Sequence, residues 1–160
     1  MKKILIIITI FFSTISTISA EEIKRIFVGN KDAKITIIAF ESLTCSHCAN
    51  FHKDVYPELK KEYLDTGLAK IEFRHFPLDI AAFNASKVSQ CNNDGDSNIL
   101  NSLFANQQKW VKGNSIEEAN KNLQKFLVSE GFNLDFEKCI NDKEIEDFVL
   151  NDRIDAVKKF

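Results

Sequence analysis

The 160-residue chain has only five glycines, two prolines, one methionine and one tryptophan. With turn-formers this scarce there is no Gly/Pro-rich linker, and no internal repeat, to mark a junction between units. Basic residues are not in excess. Lys and Arg number 21 against 23 Asp and Glu, a formal charge of −2, which excludes the basic footprint of a nucleic-acid binder. Beyond the first twelve residues no apolar run is long enough to cross a bilayer. A second CxxC is missing, and so is any HxxxH, so a zinc site has at most half its ligands at a usual spacing.

What is present begins with Lys2 and Lys3, followed by an apolar run from Ile4 to Phe12 broken only by Thr9, and then Ser/Thr-rich sequence ending at Ala20. This is the layout of a secretory signal peptide over residues 1–20. The alternative, a membrane anchor, needs ~20 apolar residues, and this run is much shorter. Cleavage before Glu21 would remove two lysines and take the formal charge from −2 to −4. It would also place the product in the periplasm or outside the cell. Cys45, Cys48, Cys91 and Cys139 all lie beyond the cut. An even cysteine count in an exported chain favours disulfides, and one close pair with two distant singles suggests two separate jobs.

Residues 23–28 form a weak candidate strand ahead of the turn Gly29-Asn30-Lys31-Asp32. "ITIIAF" (35–40) reads as a strand buried on both faces, as in a parallel sheet. Helical periodicity then runs from Ser46 to about Leu64, with Phe51, Val55, Leu59 and Tyr63 on one face and a kink expected at Pro57. "LAKIEFRHF" alternates as a second strand, which makes residues 35–76 a β-α-β unit. The remainder reads as helical. Asp79 is an expected N-cap, "NNDGDSN" is a break, and Ser115 to Glu118 is a capping box. A last helical region runs on from Asp135, with Ile145, Phe148, Val149, Ile154 and Val157 as its apolar set. The fold class expected is α/β, with residues 21–78 as the β-α-β part and 79–160 as a helical part.

The segment "FESLTCSHCANFH" (40–52) carries the chemistry. A thiol attacks a disulfide as the thiolate, so its pKa must be lowered. Cys45 stands where a strand feeds a helix, and the free N–H groups and positive dipole end of that helix stabilise an anion. His47 lies in the same turn, and Cys48 comes one turn later, close enough to close a ring. A redox pair, an inert clip and a zinc half-site are the three readings. His52 and His75 read as helix-surface and strand-end residues, and Trp110 as core.

The stretch "AKITIIAFESLTCSHCANFHKDVYPELKKEY", followed by "IEFRHFPLD", resembles the DsbA family of thioredoxin-fold thiol-disulfide oxidoreductases. The resemblance implies an exported enzyme that donates disulfides to secreted proteins. It implies a thioredoxin-like fold with a helical insertion, no metal or organic cofactor, reduced or unfolded exported proteins as substrates, and a DsbB-type membrane partner as reoxidant. It assigns Cys45 as nucleophile, Cys48 as the resolving cysteine and His47 as the residue that stabilises the reduced form. Leu43 and Phe76 become candidate substrate contacts. Two lone thiols in an oxidising compartment suggest a structural Cys91–Cys139 bridge, and some relatives carry a similar one. Two departures stand out. Family members usually carry an acid six residues before the first cysteine, where this chain has Ala39, with Glu41 as a possible substitute. The cis-proline segment that comes after the helical insertion in the family has no counterpart before Phe160, so the expectation is of the front two-thirds of the fold. The alternatives are a non-catalytic remnant or split-gene fragment of such an enzyme, and a binding module that keeps the cysteines only as a disulfide.

Overall fold

The computed structural model describes residues 22–160, and the expected signal peptide lies outside the described residues. Three strands form one sheet in the order β1-β3-β2: β1 (Ile26–Gly29), β2 (Ile35–Glu41) and β3 (Ala69–His75). β3 is central. It pairs antiparallel with β1, Ile26 opposite Phe73, and parallel with β2, Ile37 opposite Ile71. Its alternation puts Ala69, Ile71, Phe73 and His75 in the core. Gly29 closes β1 at φ +109, and a Cβ there would stand 2.7 Å from the Ala69 carbonyl oxygen, so only glycine fits.

β2 does not fit the expectation of a strand buried on both faces. It lies at the edge of the sheet, and Ile35, Thr36 and Ile38 are exposed. Apolar continuity identifies a strand but does not say whether a neighbour covers it.

Residues 46–64 are helical throughout: α1 (Ser46–Asn50), a π turn (Phe51–Val55), α2 (Tyr56–Leu59) and a second π turn (Lys60–Leu64). The expected kink at Pro57 takes the form of the wide turn just before it, because a proline cannot close a normal α turn. Each π turn holds an extra residue and rotates the next stretch of helix about its axis. The face predicted from a plain helical period is therefore kept only in part. Phe51 and Leu59 pack against the core as expected, but Val55 and Tyr63 are exposed, while Tyr56, Leu64 and the His52 side chain are buried.

The helical part comprises α3 (Ile80–Gln90), α4 (Asn98–Ala105), α5 (Gln107–Trp110), α6 (Ile116–Ser129), α7 (Phe136–Asn141) and α8 (Lys143–Lys159). Asp79 caps α3 by accepting from the Ala82 N–H, and Ser115 caps α6 by accepting from the Glu118 N–H. One core joins the two parts of the chain. Ile26, Ile71 and Phe73 of the sheet pack in the same cluster as Leu103, Phe104, Trp110 and Leu123. Trp110 donates its indole N–H to the Leu103 carbonyl. A disulfide joins Cys91, just after α3, to Cys139 in α7, with Cα atoms 5.4 Å apart.

α8 packs on β3 through polar contacts as well as apolar ones. Asp152 is fully buried, accepts from the Arg25 guanidinium at 2.5 Å and accepts the His75 backbone N–H at 3.1 Å. Ile154 and Val157, expected on the apolar face, are exposed, and Asp152 and Ala156 take the inner positions.

Candidate active site

β2 ends at Glu41, and four residues later Cys45 serves as the N-cap of α1 in an extended conformation (φ −77, ψ 120). The connecting loop is held at several points. The Cys45 N–H donates to the Ser42 carbonyl at 3.0 Å, and Thr44 Oγ1 donates to Asp79 at 2.7 Å. Gln107 of α5 reaches across and donates its amide N–H groups to the carbonyls of Leu43 (2.8 Å) and Cys45 (3.0 Å). The helical part thereby fixes the backbone that presents the cysteines.

Cys45 and Cys48 are both free thiols, each partly exposed. Their environments drive them apart. Burial pushes the Cys45 thiol up, and the charge of Glu41 adds to that. The neighbouring backbone N–H groups of Cys48 and His47 and the Cys48 thiol favour the thiolate and outweigh both effects, so its pKa lies below the ordinary thiol value. Cys48 is more deeply placed, and desolvation pushes it up to about 11. A hydrogen bond from the Ser42 backbone opposes this, while the neighbouring Cys45 sulfur and the charge of Glu41 raise it further. One thiol is thus prepared to be an anion and the other to hold its proton. The imidazole of His47 is exposed on the outer turn.

Glu41 and His52 form a feature that periodicity alone did not reveal. His52 Nε2 lies 2.8 Å from Glu41 Oε2, and the side chains are only 5% and 8% exposed. The ring stacks on Phe104, centroids 4.0 Å apart and planes 16° apart. A surface position was expected for His52; its side chain is instead buried, four residues on from the half-buried Cys48 and on the same helical face. Glu41 was legible as a possible replacement for the acid that Ala39 lacks. Its imidazole partner was not.

The two candidate substrate contacts separate. Leu43 is 1% exposed and sits in the core beneath the loop, so it offers no surface to a substrate. That expectation is corrected: the tight turn from Ser42 to Cys45 points the side chain inward. Phe76 is half-buried beside Phe40, Val157 and Phe160. Immediately beside Thr44 a shallow cleft runs past Asp79, Ile80, Val111 and Ile116, of which Ile80 and Ile116 are exposed.

A parallel strand feeding a helix whose first turn carries a differentiated dithiol, flanked by inserted helices, defines a thioredoxin-fold protein of the disulfide-exchange class. The thioredoxin family model matches residues 21–160. Among solved structures, alpha-DsbA1 of Wolbachia pipientis superposes with a TM-score of 0.74 at 34% identity, covering 84% of this chain and 68% of that one. A Rickettsia bellii protein, provisionally named a protein-disulfide oxidoreductase, is 30% identical over 127 residues, which is 77% of this chain and 48% of the relative. BdbD of Bacillus subtilis shares the fold, with a TM-score of 0.65 at 22% identity. The chain belongs to the DsbA family of thioredoxin-fold thiol-disulfide oxidoreductases. It spans about half the length of the curated relative it matches in R. bellii.

Proposed function

We propose that this protein is an exported thiol-disulfide oxidoreductase that oxidises cysteine pairs in other exported proteins through Cys45 and Cys48. The observation that carries the reading is the opposite displacement of the two thiols, Cys45 lowered and Cys48 raised. Stabilising Cys45 as thiolate stabilises the reduced pair, which makes the disulfide form a stronger oxidant.

In the oxidised protein a substrate thiolate attacks the Cys45 sulfur. The Cys45–Cys48 bond breaks, and Cys48 leaves with the electron pair and takes up a proton, as its raised pKa favours. The second substrate thiolate then attacks the substrate sulfur of the mixed disulfide, and Cys45 departs as a thiolate. It is the better leaving group because its pKa is the lower. The substrate loses two electrons and the cysteine pair gains them. A DsbB-type membrane partner returns the pair to the disulfide. His47, exposed in the first turn, is the side chain best placed to add positive charge beside the thiolate. The cleft past Ile80 and Ile116 offers apolar contact to an unfolded polypeptide next to Cys45. Export rests on the signal-like residues 1–20.

The test is oxidation of a reduced test protein. Cys45→Ser and Cys48→Ser each abolish it, because neither can hold the disulfide, and Cys48→Ser given a disulfide-bonded test protein instead is trapped as a mixed disulfide at Cys45, the displaced substrate sulfur leaving as a thiolate. Equal activity in Cys45→Ser and the parent would overturn the reading.

A further inference from the structure

We propose that Gln107 is a positioning residue for the disulfide chemistry: its carboxamide, reaching over from the helical part, holds the Cys45 backbone in the setting that keeps the Cys45 sulfur a thiolate. The inference rests on the reading of Cys45 and Cys48 as the redox pair, and it names a residue outside the β-α-β part that tunes them.

The Cys45 sulfur is favoured as an anion by the backbone N–H groups of His47 and Cys48 in the first turn of α1. Those groups keep their direction only if the backbone entering the helix is fixed. The entry is a loop, Ser42 to Thr44, with no ladder to hold it. The Cys45 N–H closes a turn onto the Ser42 carbonyl at 3.0 Å. The carbonyls of Leu43 and Cys45 then both accept from the Gln107 amide, at 2.8 and 3.0 Å. One nitrogen with two hydrogens thus pins the chain on either side of the Thr44–Cys45 peptide. A second effect acts in the same direction. A carbonyl oxygen without a donor adds negative character to the surroundings of a thiolate, and Gln107 gives a hydrogen to each of these two.

Gln107 is itself held in place. α5 is only four residues long, but Trp110 at its end is 1% exposed and donates to the Leu103 carbonyl of α4 at 2.9 Å. The Val111 N–H donates to the Gln107 carbonyl at 2.9 Å. The Gln107 side chain is half-buried against the cavity between α1 and α4, beside His52, Tyr56 and Phe104. Water therefore competes less for its amide than at an exposed site, and the clamp on Cys45 is set by the packing of the helical part. Gln108, the next residue, is exposed.

The test is the thiolate titration of the reduced, purified protein, followed by ultraviolet absorbance in the parent, Gln107→Met, Gln107→Lys and Gln108→Met. Cys48 is pushed up to about 11, so the first cysteine thiolate to appear is that of Cys45. Methionine keeps the length of the side chain and removes both donors. The Cys45 titration then moves up by about half a pH unit or more, a thiolate fraction roughly threefold smaller at a pH well below it. The glutathione equilibrium of the pair shifts toward the disulfide by a similar factor. Lysine, whose ammonium again donates to both carbonyls, brings the titration back to the parent's or below it. Gln108→Met leaves it unmoved. Circular dichroism and urea midpoints establish the fold of each variant. Where Gln107→Met does not fold, Gln107→Asn, which keeps the amide but shortens its reach, raises the titration in its stead. A lowered urea midpoint with a titration that coincides with the parent's would make Gln107 a structural tie only and overturn the proposal. A rise as large with lysine as with methionine, or as large in Gln108→Met, would overturn it too. The titration needs no turnover, so these outcomes stand apart from failure of the disulfide-exchange reading, which Cys45→Ser tests.

Discussion

Glu41 is the residue whose role is easiest to isolate. Its carboxylate stands near both sulfurs and raises both thiols, although burial is the largest cause acting on each. Removing that charge while keeping the shape should shift both titrations downward. In Glu41→Gln, ultraviolet thiolate absorbance of the reduced protein should therefore appear at lower pH than in the parent. Unchanged or upward titration would show that the Glu41 charge does not reach the sulfurs. The fate of this residue also marks how far the sequence could be read. Cys45, Cys48 and their strand-to-helix setting were legible because the chemistry needs that spacing. Glu41 was legible as an acid near the pair. The burial of His52 against it was not, since nothing in the sequence says that Phe104 of the helical part packs over that imidazole. Leu43 failed for a different reason: a loop has no period, so nothing in the sequence says which way its side chain points.

Among the elements, the helical ones were largely legible through their ends. Asp79 and Ser115 cap where their sequence patterns place them, and the "NNDGDSN" break separates α3 from α4. The inner face of α8 was legible only in part: Ile145 and Val149 are buried as expected, and Ile154 and Val157 are exposed. Its buried positions include Asp152, a charge that an apolar pattern excludes by construction. Asp152 is accommodated because Arg25 and the His75 N–H meet it. The helices are further tied by the Cys91–Cys139 bond, which spans 48 residues. Cross-linking a loop of that length restricts the unfolded chain and contributes about 3–4 kcal/mol. The Cys91→Ala, Cys139→Ala double variant should lose stability of that order in urea while its helical signal stays native below the transition. A loss under about 1 kcal/mol would mean the helices hold α3 and α7 together without the bond.

For the whole molecule, stability should depend on pH through His75. Desolvation lowers its pKa below the ordinary 6.5; Asp152 and Gln90 favour the protonated ring, and Arg25 opposes it. The unfolded chain therefore binds a proton at His75 more readily than the folded one. Stability from this group is present above about pH 6.5 and is lost as the pH falls below it. Urea midpoints should fall between about pH 7 and pH 5, and His75→Gln should flatten that slope. An unchanged slope in the variant would assign the acid sensitivity to other groups. The sheet is the part of the whole that sequence described least well. Its strands were found, but their order and the exposure of β2 depend on neighbours that a strand's own residues do not encode.

The central claim is that Cys45 and Cys48 form a reversible, oxidising disulfide. The most direct measurement is the midpoint of that pair in glutathione buffers, read on the purified protein by alkylation of free thiols. A Cys45 thiolate stabilised as described predicts a midpoint more oxidising than about −200 mV, on the DsbA side of the glutathione range. A midpoint below about −250 mV, or a pair that does not close reversibly at any poise, would contradict it.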